Sequence, residues 1–177
     1  MTRYIALLRG INVTGQPSVS MDDLKAYFGE VPGVENVVTY MLGGNVLFDA
    51  PLIDGATLVH TIETKLKQKL GYEVDIMLRL LSEMEEIVQN NPLTTIKTEE
   101  KNRLYVTFLS EVPAFDVRGS LGVYSNDAEY ARVVNREVYI YSNNYGKTCF
   151  SNTFIEKKLG VKATTRNWAT VNKMLEL

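Results

Sequence analysis

The chain is short of the side chains that carry most enzyme chemistry. Its 177 residues include one histidine, one cysteine and one tryptophan. A single cysteine, Cys149, excludes an intramolecular disulfide, and a reducing cytoplasm is the compartment that fits. One histidine and one cysteine do not make a zinc site of the usual composition, so no metal is expected. His60 lies on a predicted helix between Leu58 and Ile62, off the apolar stripe, which leaves Ser-His-Asp and Cys-His arrangements without support. Nor do the carboxylates suggest an oxygen-only metal site. Asp22-Asp23, Glu83-Glu85-Glu86 and Glu99-Glu100 read as helix N-terminal or solvated charges. No cofactor is expected, and no catalytic constellation is recognisable.

Long apolar runs are missing as well. Arg9 interrupts the opening apolar stretch well short of a bilayer span, and no small-residue cleavage site follows. Neither a membrane span nor a signal peptide is expected. Charge of one sign is not in excess: 19 Lys and Arg against 21 Asp and Glu give a net charge of −2. The chain has no broad basic field, which disfavours nucleic acid as a partner. A small anionic ligand needs only one or two local cations, and nothing in the composition opposes it.

What remains is ordinary globular composition, 45% hydrophobic and 23% charged. Tyr4–Leu8 is a continuous apolar run, as in a strand buried on both faces. Ser20 with Asp23 resembles a capping box before Leu24, Tyr27 and Phe28, and Gly29 makes a stop. Asn36–Met41 and Asn45–Asp49, joined through Gly43-Gly44, read as a hairpin. Leu58, Ile62, Leu66 and Leu70 line one helical face, Gly71 caps it, and Glu73–Arg79 reads as a fourth strand. The order β-α-β-β-α-β is the split-βαβ pattern. The expected class is therefore α+β. A ferredoxin-like (βαββαβ) subdomain over 1–80 is packed with a smaller α+β subdomain over 81–177, with the loop 91–102 between them.

In the second half Ser82 is expected to open a short helix, and Arg103–Leu109 to form a strand. Three short β runs follow at Leu121–Tyr124, Glu129–Val134 and Glu137–Tyr141. Ser151 is expected to cap a helix ended by Gly160, and Thr165 to open a last helix with Trp168 on its buried side. No self-similarity suggests an internal repeat.

Four motifs occur in order: Arg9-Gly-Ile-Asn-Val-Thr-Gly15, Thr39-Tyr-Met-Leu-Gly-Gly-Asn-Val-Leu-Phe48, Asn91-Pro-Leu93 and Thr164-Thr-Arg-Asn-Trp-Ala-Thr-Val171. With them the chain resembles the bacterial family of domain of unknown function 1697 (DUF1697). The resemblance implies a small cytoplasmic α+β protein and carries no assigned activity. Two positions and one run depart from the family pattern. Thr14 stands for a usual glycine, Gly43 for a usual serine, and Gly146-Lys147-Thr148-Cys149-Phe150 for a Gly-Arg/Lys-Ser-Lys-Leu run.

Glycine-rich polar loops at strand ends beside cations point to a small anionic ligand, phosphate compounds among the candidates, bound in a cleft between the subdomains. Arg9 and Arg166 would fix charge, Asn12, Asn45 and Asn167 would direct hydrogen bonds, and Lys147 would add a flexible cation. The bland readings stand beside these: Asn12 bonding its own backbone, Lys147 as an exposed turn lysine, Thr165 as a helix cap. Gly146-Lys147-Thr148 lacks the upstream glycine of a Walker A loop, which is rejected. Cys149 reads as a small core hydrophobe, and Tyr4, Tyr40 and Phe48 as core aromatics before base-stacking ones. The competing class is a protein-interaction or self-association module, a homodimer without catalytic activity, pairing through a sheet edge or face.

Overall fold

The computed structural model describes the backbone of residues 1–177 and every side chain except that of residue 98. It divides into two compact units, Met1–Glu83 with Leu177, and Met84–Glu176. Each is a mixed α+β body around a four-stranded antiparallel sheet. Among the described residues no helix is long and apolar enough to cross a membrane.

The first unit runs β1 (Thr2–Arg9), α1 (Met21–Gly29), β2 (Glu35–Tyr40), β3 (Asn45–Ala50), α2 (Gly55–Leu70) and β4 (Asp75–Leu80). The sheet order is β2-β3-β1-β4. Central β1 pairs with both β3 and β4. Its Tyr4, Ala6 and Leu8 share one core with Leu24 and Phe28 of α1 and Leu58, Ile62 and Leu66 of α2. Ile5 and Leu7, on the opposite face, are equally buried. This explains an apolar run without alternation: each such side chain stabilises the fold by about 1.5–3 kcal/mol on burial. Tyr4 stacks on Phe48 with centroids 5.6 Å apart inside this core, so neither ring is free to stack a base.

Caps set the helix ends. Ser20 Oγ accepts the Asp23 N–H at 3.0 Å and donates to the Asp23 carboxylate at 2.8 Å. Asp54 accepts the Thr57 N–H at 2.9 Å, and Gly71 closes α2 at φ 81°.

Helix α3 (Leu81–Gln89) crosses the unit boundary. The second unit continues with β5 (Leu104–Leu109), β6 (Glu129–Val134), β7 (Glu137–Ser142), α4 (Asn152–Leu159), β8 (Ala163–Asn167) and α5 (Trp168–Met174). Its sheet order, β6-β7-β5-β8, repeats that of the first unit, although the sequence carries no repeat. Leu109, Val138, Ile140 and Ala163 pack with Ile155 and Leu159 of α4. Between β5 and β6 there is no helix like α1, only three-residue 3-10 turns at Phe115–Val117 and Gly122–Tyr124.

Three local expectations are corrected. Ser82 caps nothing: α3 already begins at Leu81, where Glu83 accepts the Leu80 N–H at 2.8 Å. Residues 121–124 form a 3-10 turn and not a strand. Thr165 lies in strand β8, paired with Thr107, and the cap of α5 is Asn167. Trp168 is only half-buried, so Val171 and Met174 anchor that helix.

Candidate functional site

Within the first unit, the loop after β1 and the β2–β3 turn do meet. Leu8 N–H donates to Gly44 O at 2.9 Å. Gly44 has φ 78°, and a Cβ there would lie 2.6 Å from Ile11 Cγ2 and 2.9 Å from Leu8 Cβ. Glycine is required at this position on both counts. Asn12, itself at φ 52°, ties the pair together. Its Nδ2 donates to Val19 O at 3.1 Å and Leu42 O at 3.2 Å, and its Oδ1 accepts the Val19 N–H at 2.7 Å. Asn45, 1% exposed, donates to Tyr40 O at 2.8 Å and closes the hairpin. Both asparagines therefore hold backbone. Arg9 ends β1 opposite Asp75 of β4 and is half-buried.

The second unit brings its own pair of motifs together. Tyr145 opens a 3-10 turn ending at Lys147, and its ring stacks on Tyr105 of β5 with centroids 4.1 Å apart. Tyr105 is the register partner of Asn167, at the end of β8. Thr165 Oγ1 lies 2.6 Å from Asn152 Oδ1, at the start of α4, and 2.7 Å from Thr107 Oγ1. Arg166 Nη1 donates to Thr164 Oγ1 at 2.8 Å and Thr165 O at 2.9 Å. Burial lowers its pKa to about 10, opposed by the nearby Tyr145. Asn167 Oδ1 accepts the Thr170 N–H at 2.8 Å, a cap bond. Lys147 is exposed and makes no ion pair among the described residues.

A residue missed by sequence reasoning controls the loop between them. Glu129 of β6 accepts from Thr148 Oγ1 at 2.5 Å and from the Cys149 N–H at 3.2 Å. The donors that an anion would use before α4 are thus held by the chain's own carboxylate. Burial alone would raise the Glu129 pKa, but hydrogen bonds from Thr148, Cys149 and Ser142 outweigh it and hold the carboxyl below the usual range. The same surroundings push the Cys149 thiol up to about 11, chiefly by burial, so this is no activated nucleophile. No local pattern could have identified Glu129, which lies 19 residues from Thr148 in the chain.

A further cleft of about 260 Å³, with His60, Glu63, Lys67, Glu73 and Asp75 in its walls, runs along α2 and the start of β4. None of the six predicted ligand residues lines it. Glu63 accepts the Ile76 N–H at 2.9 Å, and burial, then the neighbouring Asp75 and Glu73 charges, raises its pKa. Among the described residues no group of three or more His, Cys, Asp and Glu is placed to hold a metal ion.

A family model described as "Protein of unknown function (DUF1697)" matches residues 1–139. No curated protein matches the sequence. Among solved structures, the conserved bacterial protein SP0830 from Streptococcus pneumoniae aligns with a TM-score of 0.72 at 22% identity, covering 99% of this chain and 97% of its own. At that identity the likeness is one of fold.

Proposed function

The chain belongs to the DUF1697 family of proteins of unknown function, and we propose that it binds a small anionic ligand, a phosphate or carboxylate, at its polar loops. In the second unit Lys147 and Arg166 supply the charge and Tyr145 an aromatic face. The carrying observation is the position of Tyr145, stacked on Tyr105 at 4.1 Å, next in β5 to Val106, the register partner of Arg166. An aromatic ring, a guanidinium and an exposed lysine thus belong to one end of one sheet. In the first unit Arg9 stands beside the loop that Asn12 fastens. Asn12, Asn45 and Asn167 shape these loops through side-chain bonds to the backbone.

Two finer readings go with this. The order β-α-β-β-α-β with sheet order β2-β3-β1-β4 supports a ferredoxin-like first unit. The lone, unreactive Cys149 suits a reducing cytoplasm.

A thermal-shift screen with nucleotides, sugar phosphates and small carboxylates tests the proposal. A ligand at a hundred times its dissociation constant stabilises by about 2.7 kcal/mol. One class is expected to raise the midpoint, and Lys147→Ala and Arg166→Gln to abolish the rise; Arg9→Ala reports on the first unit. A midpoint unmoved by every class defeats the reading.

The second reading is an interaction or self-association module. Val13, Met41 and Leu42 favour it, being exposed on the two loops that Asn12 joins. Light scattering on the eluting protein separates a dimer from a monomer, and Leu42→Ser is expected to break a dimer built there.

A further inference from the structure

We propose that the β5–β6 crossover and the adjoining face of β6 form a docking surface for an acidic amphipathic helix of a protein partner. In the first unit the corresponding crossover is α1, whose Leu24 and Phe28 are buried and which packs on edge strand β2, where Val37 joins the core. In the second unit the 3-10 turns there bury none of their side chains, and edge strand β6 buries none of its six. Ala131 and Val133 touch the core but stay half-open. Phe115 is 86% exposed and Val123 82%. Leu121 and Val117 close the core from this crossover, while Phe115 and Val123 are left exposed on its outer side, where the sister unit has a helix.

Charge and edge chemistry select the occupant. Arg118 lies over the Phe115 ring at 5.8 Å, and Lys158 over Tyr124 at 4.9 Å. Neither cation has a carboxylate partner among the described residues. Residues 112–134 carry three carboxylates, Asp116, Asp127 and Glu129, and Glu129 is engaged by Thr148 and Cys149. An added strand is disfavoured, because edge donors of β6 are taken: Glu129 N–H by Asn126 Oδ1 at 3.1 Å and Ala131 N–H by Ser125 Oγ at 3.4 Å. A helix needs no such donors. It needs an apolar pair one turn apart, facing Phe115, Val123 and Val133, with carboxylates beside it for Arg118 and Lys158.

The chain supplies its own probe. Residues 18–30 contain Leu24 and Phe28 one turn apart, with Asp22, Asp23 and Glu30. A helix-stapled peptide of this sequence is titrated into the full chain while backbone amide shifts are followed. Saturable shifts are expected over residues 112–134, weakened about tenfold or more by Phe115→Ser with Val123→Ser and by a peptide carrying Asp22→Lys and Asp23→Lys. Both serine substitutions are at exposed positions, so an unchanged melting midpoint confirms that the fold is intact. Absence of shifts at millimolar peptide overturns the proposal. So does equal binding of the charge-reversed peptide, or binding to anionic phospholipid vesicles without binding to the peptide.

Discussion

The two units build one strand order with different fastenings. In the first, helices seal the sheet: α1 and α2 contribute Leu24, Phe28, Leu58, Ile62 and Leu66 to a core that also includes Val37 of the edge strand. In the second, α4 is the single crossover helix, eight residues long; α3 adds buried Met84 and Ile87, α5 adds Val171 and Met174, and polar contacts tie the loops. Glu129 grips Thr148 and Cys149, Thr165 bridges Thr107 and Asn152, and Arg103 reaches Tyr141 and Asn143. Edges differ likewise. The register of β2 shifts between Glu35 and Val38, with Asn36 at φ 50° and bonded to Asp49, whereas β6 runs in unbroken register along β7. A strand order can therefore be held by apolar coverage or by side-chain bonds to loops, and the second way leaves more surface open.

Substitutions at matched positions put this to the test. The largest effect is expected at the hairpins. Gly44→Ala forces a Cβ against Leu8 and Ile11 at positive φ and should cost about 3 kcal/mol. Asn135→Ala, in the two-residue turn of the other hairpin at φ 52°, should cost about 1 kcal/mol. Urea midpoints read both, and equal losses would break the contrast. Next come the loop ties. Asn12→Ala removes three hydrogen bonds and should cost about 2 kcal/mol, against about 1 kcal/mol for Asn126→Ala, which loses those from Ala128 and Glu129 N–H.

Smaller still are the caps. Ser20→Ala should cost about 1 kcal/mol, since Ser20 is bonded both ways to Asp23, and Ser151→Ala somewhat less, its bond to Phe154 N–H being 3.3 Å. Thermal midpoints of the two variants should fall in that order. The smallest effect distinguishes the units by pH. Glu129 is held below its ordinary carboxylate value, so its contribution is present above that value and is lost as pH falls through the depressed pKa. Glu63 is raised, so its contribution is present below the ordinary value and lost as pH rises through the elevated pKa. Across the range in which these carboxylates titrate, Glu129→Gln should flatten the acid side of the stability profile and Glu63→Gln the opposite slope.

The first unit was legible because its signals are local. The caps at Ser20 and Gly71, the stripe Leu58–Leu66 and the double glycine before Asn45 each lie within one element or one turn of it. The second was less so. Thr164-Thr165-Arg166-Asn167 reads as either a helix start or a short edge strand, and only pairing with β5, from residues some sixty positions earlier, decides for the strand. Ser82 has the letters of a cap but follows a residue already in the helix. Of the expected ligand residues, the three asparagines each bond the backbone, which their letters do not declare, because a polar loop residue looks the same whether it faces a ligand or its own backbone. Glu129 was invisible for the opposite reason: nothing near it in the chain declares its partner.

Asn12 binds main-chain atoms alone: the N–H and carbonyl of Val19 and the carbonyl of Leu42. The shape of the two joined loops is therefore insulated from the identity of their outward side chains. Val13 and Leu42 can be exchanged in a diversified library while the loops keep their course, whereas Met41, at φ 59°, accepts fewer replacements. The fastening makes this end of the first unit a ready display scaffold.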